Sequence, residues 1–184
     1  MRKDFGAKPF LFPQPVMMIG TYDADGKPNL MNAAWGGIVE MNQLVISLAP
    51  HLTTENIDRN KEYTVSMGVA EYAAACDYVG IVSGKKDPEK MKKSGFTTTR
   101  SSHVNAPLIN ELPVALECKL LKVVPDGLYF GEIVNVSIDE SVLDENGKLS
   151  MEKFHPIVFE TANHGYYDFG KCVGQAFKCG MSLK

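Results

Sequence analysis

The chain has 184 residues, of which 45% are hydrophobic and 22% charged, with a formal net charge of −3. That length predicts one domain over residues 1–184, large enough to bury a core without metal or disulfide staples. The acidic balance argues against nucleic-acid binding, which needs a basic surface, and the pairs Lys85-Lys86 and Lys92-Lys93 are too short to reverse it.

The start of the chain holds no apolar run of signal-peptide length, and residues 5–15 carry Phe5, Phe10, Leu11 and Phe12 among three prolines. An extended arm is expected there, lying on the body or on a neighbouring subunit. No apolar stretch reaches transmembrane length, so no membrane partner is expected. Four irregularly spaced cysteines without a C-x-x-C pair fit a reducing cytoplasm, and Cys172 and Cys179 could pair under oxidation.

Val16–Tyr22 and Lys27–Val39 flank the turn signal Asp23-Ala-Asp-Gly26 and predict a β-hairpin. Gly36-Gly37 would weaken the second strand unless a bulge or a close ligand uses the missing side chains. Leu44–Ala49 reads as a short buried strand that Pro50 ends. Thr53–Asn60 then predicts a helix with Thr53 or Thr54 as N-cap, and Glu62–Val69 another strand. Glu71–Val82 predicts a helix stopped by Ser83-Gly84. A shorter one is expected from Asp87 to Gly95, with Pro88 in its first turn. Thr97–Pro107 reads as loop. Val114–Val124 and Leu128–Asp139 predict a long hairpin about Pro125-Asp126-Gly127, one face buried and one wet. Pro156–Glu160 is the last predicted strand, followed by two glycines bracketing Tyr166, Tyr167 and Phe169. Paired strands with helices gathered between them define an α+β, mainly β class built on an antiparallel barrel.

Phosphate-binding and nucleophile-elbow motifs are absent, and the four histidines have no i, i+4 partner, so no metal site is expected. Trp35 stands between Asn32-Ala33-Ala34 and Gly36-Gly37, either filling a core or interface or bordering space for a flat ring. Thr53-Thr54-Glu55-Asn56 is a helix start that caps itself or holds an anion, and Glu55 opposes the second use. A phosphate there needs a cation from elsewhere. Lys90 is the candidate, its alternative being a solvated helix face. Tyr166 and Tyr167 suit an interface or a stacking lid. No nucleophile or carboxylate pair has a recognisable spacing, so any catalysis would belong to a bound cofactor and no catalytic side chain is expected.

Taken together, Pro13-x-Pro15-Val16, Gly20-Thr-Tyr-Asp-x-x-Gly26-x-Pro28-Asn29-x-Met31-x-Ala33-Ala34-Trp35-Gly36-Gly37, Thr54-x-Asn56-Ile57, Asp77-Tyr-x-Gly80-x-x-Ser83-Gly84 followed by Lys90, and Pro113-x-x-Leu116-Glu117-Cys118 resemble the flavin reductase-like family over nearly the whole chain. The resemblance implies an FMN-binding split β-barrel of antiparallel Greek-key type with short peripheral helices. It also implies a homodimer with one noncovalent FMN per subunit near the interface. By position, Asn29, Asn32, Ala33, Ala34 and Trp35 would contact the flavin. Thr54, Asn56 and Lys90 would hold the phosphate end, with Thr53 and Ser47 beside them, and Phe159 and Tyr166 would lie near the ring. The implied activity passes hydride or electrons through FMN, from NAD(P)H or from a redox protein donor. A carrier without a nicotinamide site and a flavin-free ligand-binding barrel are the alternatives.

Overall fold

The structure is a computed structural model that describes residues 1–183. In chain order its strands are β1 (Gln14–Pro15), β2 (Met17–Tyr22), β3 (Pro28–Ala33), β4 (Gly36–Glu40), β5 (Gln43–Ser47), β6 (Glu62–Met67), β7 (Thr98–Arg100), β8 (Pro107–Ile109), β9 (Val114–Val124), β10 (Leu128–Ile138), β11 (Ile157–Glu160) and β12 (Gly165–Asp168). The α-helices are α1 (Leu52–Asn60), α2 (Ala73–Ile81), α3 (Lys90–Ser94) and α4 (Met151–Phe154).

Seven strands form one antiparallel sheet in the order β3-β2-β6-β9-β10-β5-β4. Its two edge strands, β3 and β4, are consecutive in the chain and separated only by Ala34 and Trp35. In a flat sheet those edges would lie six inter-strand spacings apart, roughly 29 Å. A two-residue link spans at most about 11 Å. The sheet therefore curls until its edges approach, making a split barrel in a mainly β, α+β fold. The single strand expected over Lys27–Val39 is for this reason two strands on opposite edges. Gly36 opens β4 where a Cβ would strike the Val45 carbonyl and come within 2.8 Å of Met17 Cε.

Alternation along β2 sends Met17 and Ile19 into the barrel with Leu44, Ile46, Ile57, Tyr63, Val65, Cys118 and Tyr129. Met18 faces outward, into a second core with Val16, Leu30, Cys76, Val79 and Phe96. Buried on both sides, β2 reads as an unbroken apolar run. Ile57 is fully buried and docks α1 on the barrel, contributing about 1.5–3 kcal/mol.

Other expectations shift in detail. Helix α1 starts at Leu52 with His51, in extended backbone, at the N-cap position instead of Thr53 or Thr54. The Thr54 hydroxyl accepts from the His51 amide at 2.9 Å and donates to its carbonyl at 2.8 Å. Helix α3 begins three residues after Asp87, whose carboxylate bonds the Glu89 amide at 3.0 Å and holds 87–89 as a turn. Within the expected loop 97–107, β7 pairs with β8. The loop between them is pinned by the buried Glu117 carboxylate, which accepts from Ser101 Oγ, from Asn135 Nδ2 at 2.6 Å and from Ser137 Oγ at 3.0 Å. The segment around Tyr166 is strand β12, which joins β11 and β1 in a second, three-stranded sheet. The long hairpin β9–β10 turns at Asp126 and Gly127, both with positive φ. Among the described residues no helix is long and apolar enough to cross a membrane.

Candidate functional site

One groove follows the free edge of β3. It consists of two clefts of about 200 Å³ each that share Asn32, Gly80 and Ile81. The first is lined by Asn29, His51, Leu52, Thr53, Ser83 and Lys90, and the second by Ala33, Ala34, Asp77, Phe159 and Tyr166. Helix α2 and the segment after it form the opposite wall. They approach closely because Gly80 and Gly84 lack side chains. A Cβ at Gly80 would lie 3.0 Å from Asn32 Cβ, and one at Gly84 would lie 2.7 Å from Asn29 Oδ1.

Lys90 sits at the polar end, only 5% exposed. Its ammonium donates to the Leu30 carbonyl at 2.6 Å. Among the described residues no carboxylate lies within ion-pair distance of it. The nearby carboxylates are taken by other lysines, Glu55 by Lys85 and Asp87 by Lys93. An ammonium has three donors, so Lys90 is buried with donor capacity to spare. Desolvation pulls its pKa down to about 8. Thr53 stands across from it and accepts from Asn29 Nδ2 at 3.0 Å.

The other end is more apolar, with one polar network. Tyr166 Oη donates to Asp77 Oδ1 at 2.9 Å and receives Asn32 Nδ2 at 3.4 Å, while the same amide reaches the Cys76 carbonyl at 3.1 Å. Burial, reinforced by Asp77, pushes the Tyr166 phenol up to about 12, so it keeps its proton at neutral pH. The Phe159 ring lies 5.8 Å from Tyr166 and stacks on His164.

Of the expected site residues, Asn29, Asn32, Ala33, Ala34, Thr53, Lys90, Phe159 and Tyr166 come together along this groove. Thr54 and Asn56 lie behind it. Asn56 is fully buried, donates to Thr21 Oγ at 3.0 Å and accepts from Arg59 at 2.7 Å, tying α1 to β2. Trp35 and Ser47 lie together outside the groove, where the Ser47 amide donates to the Trp35 carbonyl at 2.8 Å. Asp77, Gly80, Ser83 and Gly84 are lining residues that were not assigned from sequence, although the run Asp77–Gly84 leading to Lys90 contains all four. Among the described residues no cluster of His, Cys, Asp and Glu could hold a metal ion.

Residues 10–165 match the flavin reductase like domain, and the chain belongs to that family. It is similar over 98% of its length to the whole of flavoredoxin of Desulfovibrio vulgaris (Miyazaki F), with 34% identity and a TM-score of 0.94. Flavoredoxin from Methanosarcina acetivorans is 28% identical, with a TM-score of 0.86 over the full length of both chains. An uncharacterised protein of Aquifex aeolicus (strain VF5) is 29% identical over 174 residues, 87% of each chain. Nitrilotriacetate monooxygenase component B from Bacillus cereus shares the fold at 18% identity, with a TM-score of 0.77 over 95% of this chain and all of that one.

Proposed function

We propose that the chain is an FMN-dependent redox protein that works as a homodimer, each subunit a single domain over residues 1–184, in a reducing cytoplasm. The observation that carries this reading is Lys90, a buried ammonium with unused donors at one end of a groove whose other end is lined by alanines and aromatic rings. FMN matches both ends. Its phosphate would take the free donors of Lys90 near Thr53, and its ring would lie along Asn32, Ala33 and Ala34 toward Phe159 and Tyr166. Because Lys85 occupies Glu55, little negative charge is left to oppose the phosphate. When bound, FMN supplies hydride and single-electron transfer. The protein would bind it, cover one side with α2, and keep the Tyr166 hydroxyl oriented, its proton donated to Asp77 while the Asn32 amide donates to its oxygen.

The reducing equivalents come from NAD(P)H or from a redox protein. Similarity to a flavoredoxin at 34% identity, against 18–20% for the monooxygenase component and a flavin reductase neighbour, favours a carrier that takes electrons from a protein donor as the second reading. The test begins with reconstitution in FMN, desalting and an absorbance scan. Flavin bands should persist after desalting, and their loss would overturn both readings. Anaerobic mixing with NADH, NADPH and a reduced iron–sulfur protein then separates the two. Bleaching by a nicotinamide supports the enzyme, and bleaching by the iron–sulfur protein alone supports the carrier.

A further inference from the structure

Two of the four cysteines belong to the cores. Burial pushes the thiols of Cys76 and Cys118 up to about 11 and about 12, so both stay protonated and unreactive at neutral pH. Cys172 and Cys179 differ in being exposed, on the tail that follows β12. Between them the chain doubles back. The amides of Lys178 and Cys179 both donate to the Gln175 carbonyl, at 3.1 and 2.9 Å, and Phe177 takes a left-handed φ of 63°.

This reversal brings both sulfurs to one residue. Cys172 Sγ donates to the Gly174 carbonyl at 3.4 Å. Cys179 Sγ lies 3.3 Å from where a Cβ of Gly174 would stand. Gly174 has no side chain to separate them, and a disulfide requires Cβ atoms about 4 Å apart. Residues 172–179 are all exposed, so closing the remaining distance disturbs no packed core. Local charge adds a preference. Residues 169–184 contain Lys171, Lys178 and Lys184 and no Asp or Glu, so each cysteine adjoins a lysine in a protein that is acidic overall. Anionic reagents are drawn to such a segment.

We infer that Cys172 and Cys179 form a thiol–disulfide couple that exchanges with disulfides, small anionic ones such as oxidised glutathione being the favoured class. One tail thiol attacks the disulfide as its thiolate, the substrate S–S bond breaks, and the first small thiol leaves carrying the proton that was lost. The second tail thiol then attacks the protein sulfur of the mixed disulfide and releases the second small thiol. The net change is a protein dithiol oxidised to one intrachain disulfide and one small disulfide reduced to two thiols. Two electrons and two protons pass between them, with no need of flavin.

The test uses the full chain, reduced and freed of reductant, incubated anaerobically with oxidised glutathione. Two of its four thiols should disappear without retained glutathione. Tryptic digestion should then yield the 172–178 and 179–184 peptides joined by a disulfide. Cys172→Ser and Cys179→Ser should each hold one glutathione stably, because the resolving thiol is missing. Wild-type protein that keeps one or two glutathiones, forms covalent dimers, or retains all four thiols would overturn the inference. Flavin content plays no part in the readout, so the result stands apart from the FMN reading.

Discussion

At the residue scale the informative group is Lys90. A lysine on a short helix reads equally well as a solvated face from sequence, and its burial beside a carbonyl, with no carboxylate near, is what supports the proposed phosphate contact. Lys90→Ala should weaken FMN binding by roughly 1–3 kcal/mol if the contact is charge-assisted, which fluorescence titration will show. Riboflavin, which lacks the phosphate, should be affected much less. The sign of the pH dependence follows from the lowered pKa. Folded ligand-free protein releases the Lys90 proton near pH 8, whereas the unfolded chain keeps it to about 10.4. Between those values the unfolded state binds more protons, so Lys90 makes the ligand-free fold more stable as pH rises. Phosphate affinity moves the other way. The preference for FMN over riboflavin should shrink between pH 7 and pH 10, and a constant preference would remove Lys90 from the site.

At the element scale two devices hold the barrel in shape. Glu117 joins the 101–106 loop to β9 and β10 through Ser101, Asn135 and Ser137. Burial works to raise its pKa, but these three hydrogen bonds, together with the electrostatic influence of His103, outweigh it and hold the carboxyl below its ordinary value. A depressed carboxylate contributes stability above its unfolded pKa and loses it as pH falls through the folded value. Glu117→Ala should therefore cost about 1–3 kcal/mol at neutral pH by leaving the buried Ser101 hydroxyl and the half-buried Asn135 and Ser137 donors unmet. In urea melts the gap from wild type should narrow toward acid. Gly36 is the second device. A methyl group there meets the Val45 backbone, which cannot yield as a flexible side chain would. Gly36→Ala should lower stability by about 1–3 kcal/mol, read as a shift of the urea midpoint without a change of slope. From the sequence alone, Gly36-Gly37 read as a weak point within one strand. The need for glycine at position 36 comes from two edges meeting, which local pattern does not encode.

At the scale of the whole molecule, Trp35, Ile38, Val39 and Met41 are all exposed on and beside the edge strand β4, with Ile38 64% exposed. An edge strand bearing such an apolar row invites a partner, which supports the proposed homodimer. Sedimentation should give a dimer at micromolar concentration. Ile38→Asp with Val39→Asp should shift it to monomer while the far-UV circular dichroism stays unchanged. A wild-type monomer under those conditions would remove the dimer and leave Trp35 without a burial partner.

The sequence by itself determined the mainly β class, the hairpin β9–β10, the positions of α1 and α2, and the candidate set along β3. The elements follow from alternation, turn residues and local spacing, which act over a few residues, while the candidate set along β3 was implied by the resemblance to the family. It also carried Gly80, Ser83 and Gly84 inside the run that resembles the family, without marking them as walls of a groove. Only the tertiary structure decided that Lys27–Val39 divides between opposite edges, that β12 brings Tyr166 to Asp77 and Asn32, and that Lys90 is buried rather than solvated. Each of these depends on which distant segments share a wall. A short link between edge strands can be met only by curling the sheet, and that closure decides which polar side chains lose their water.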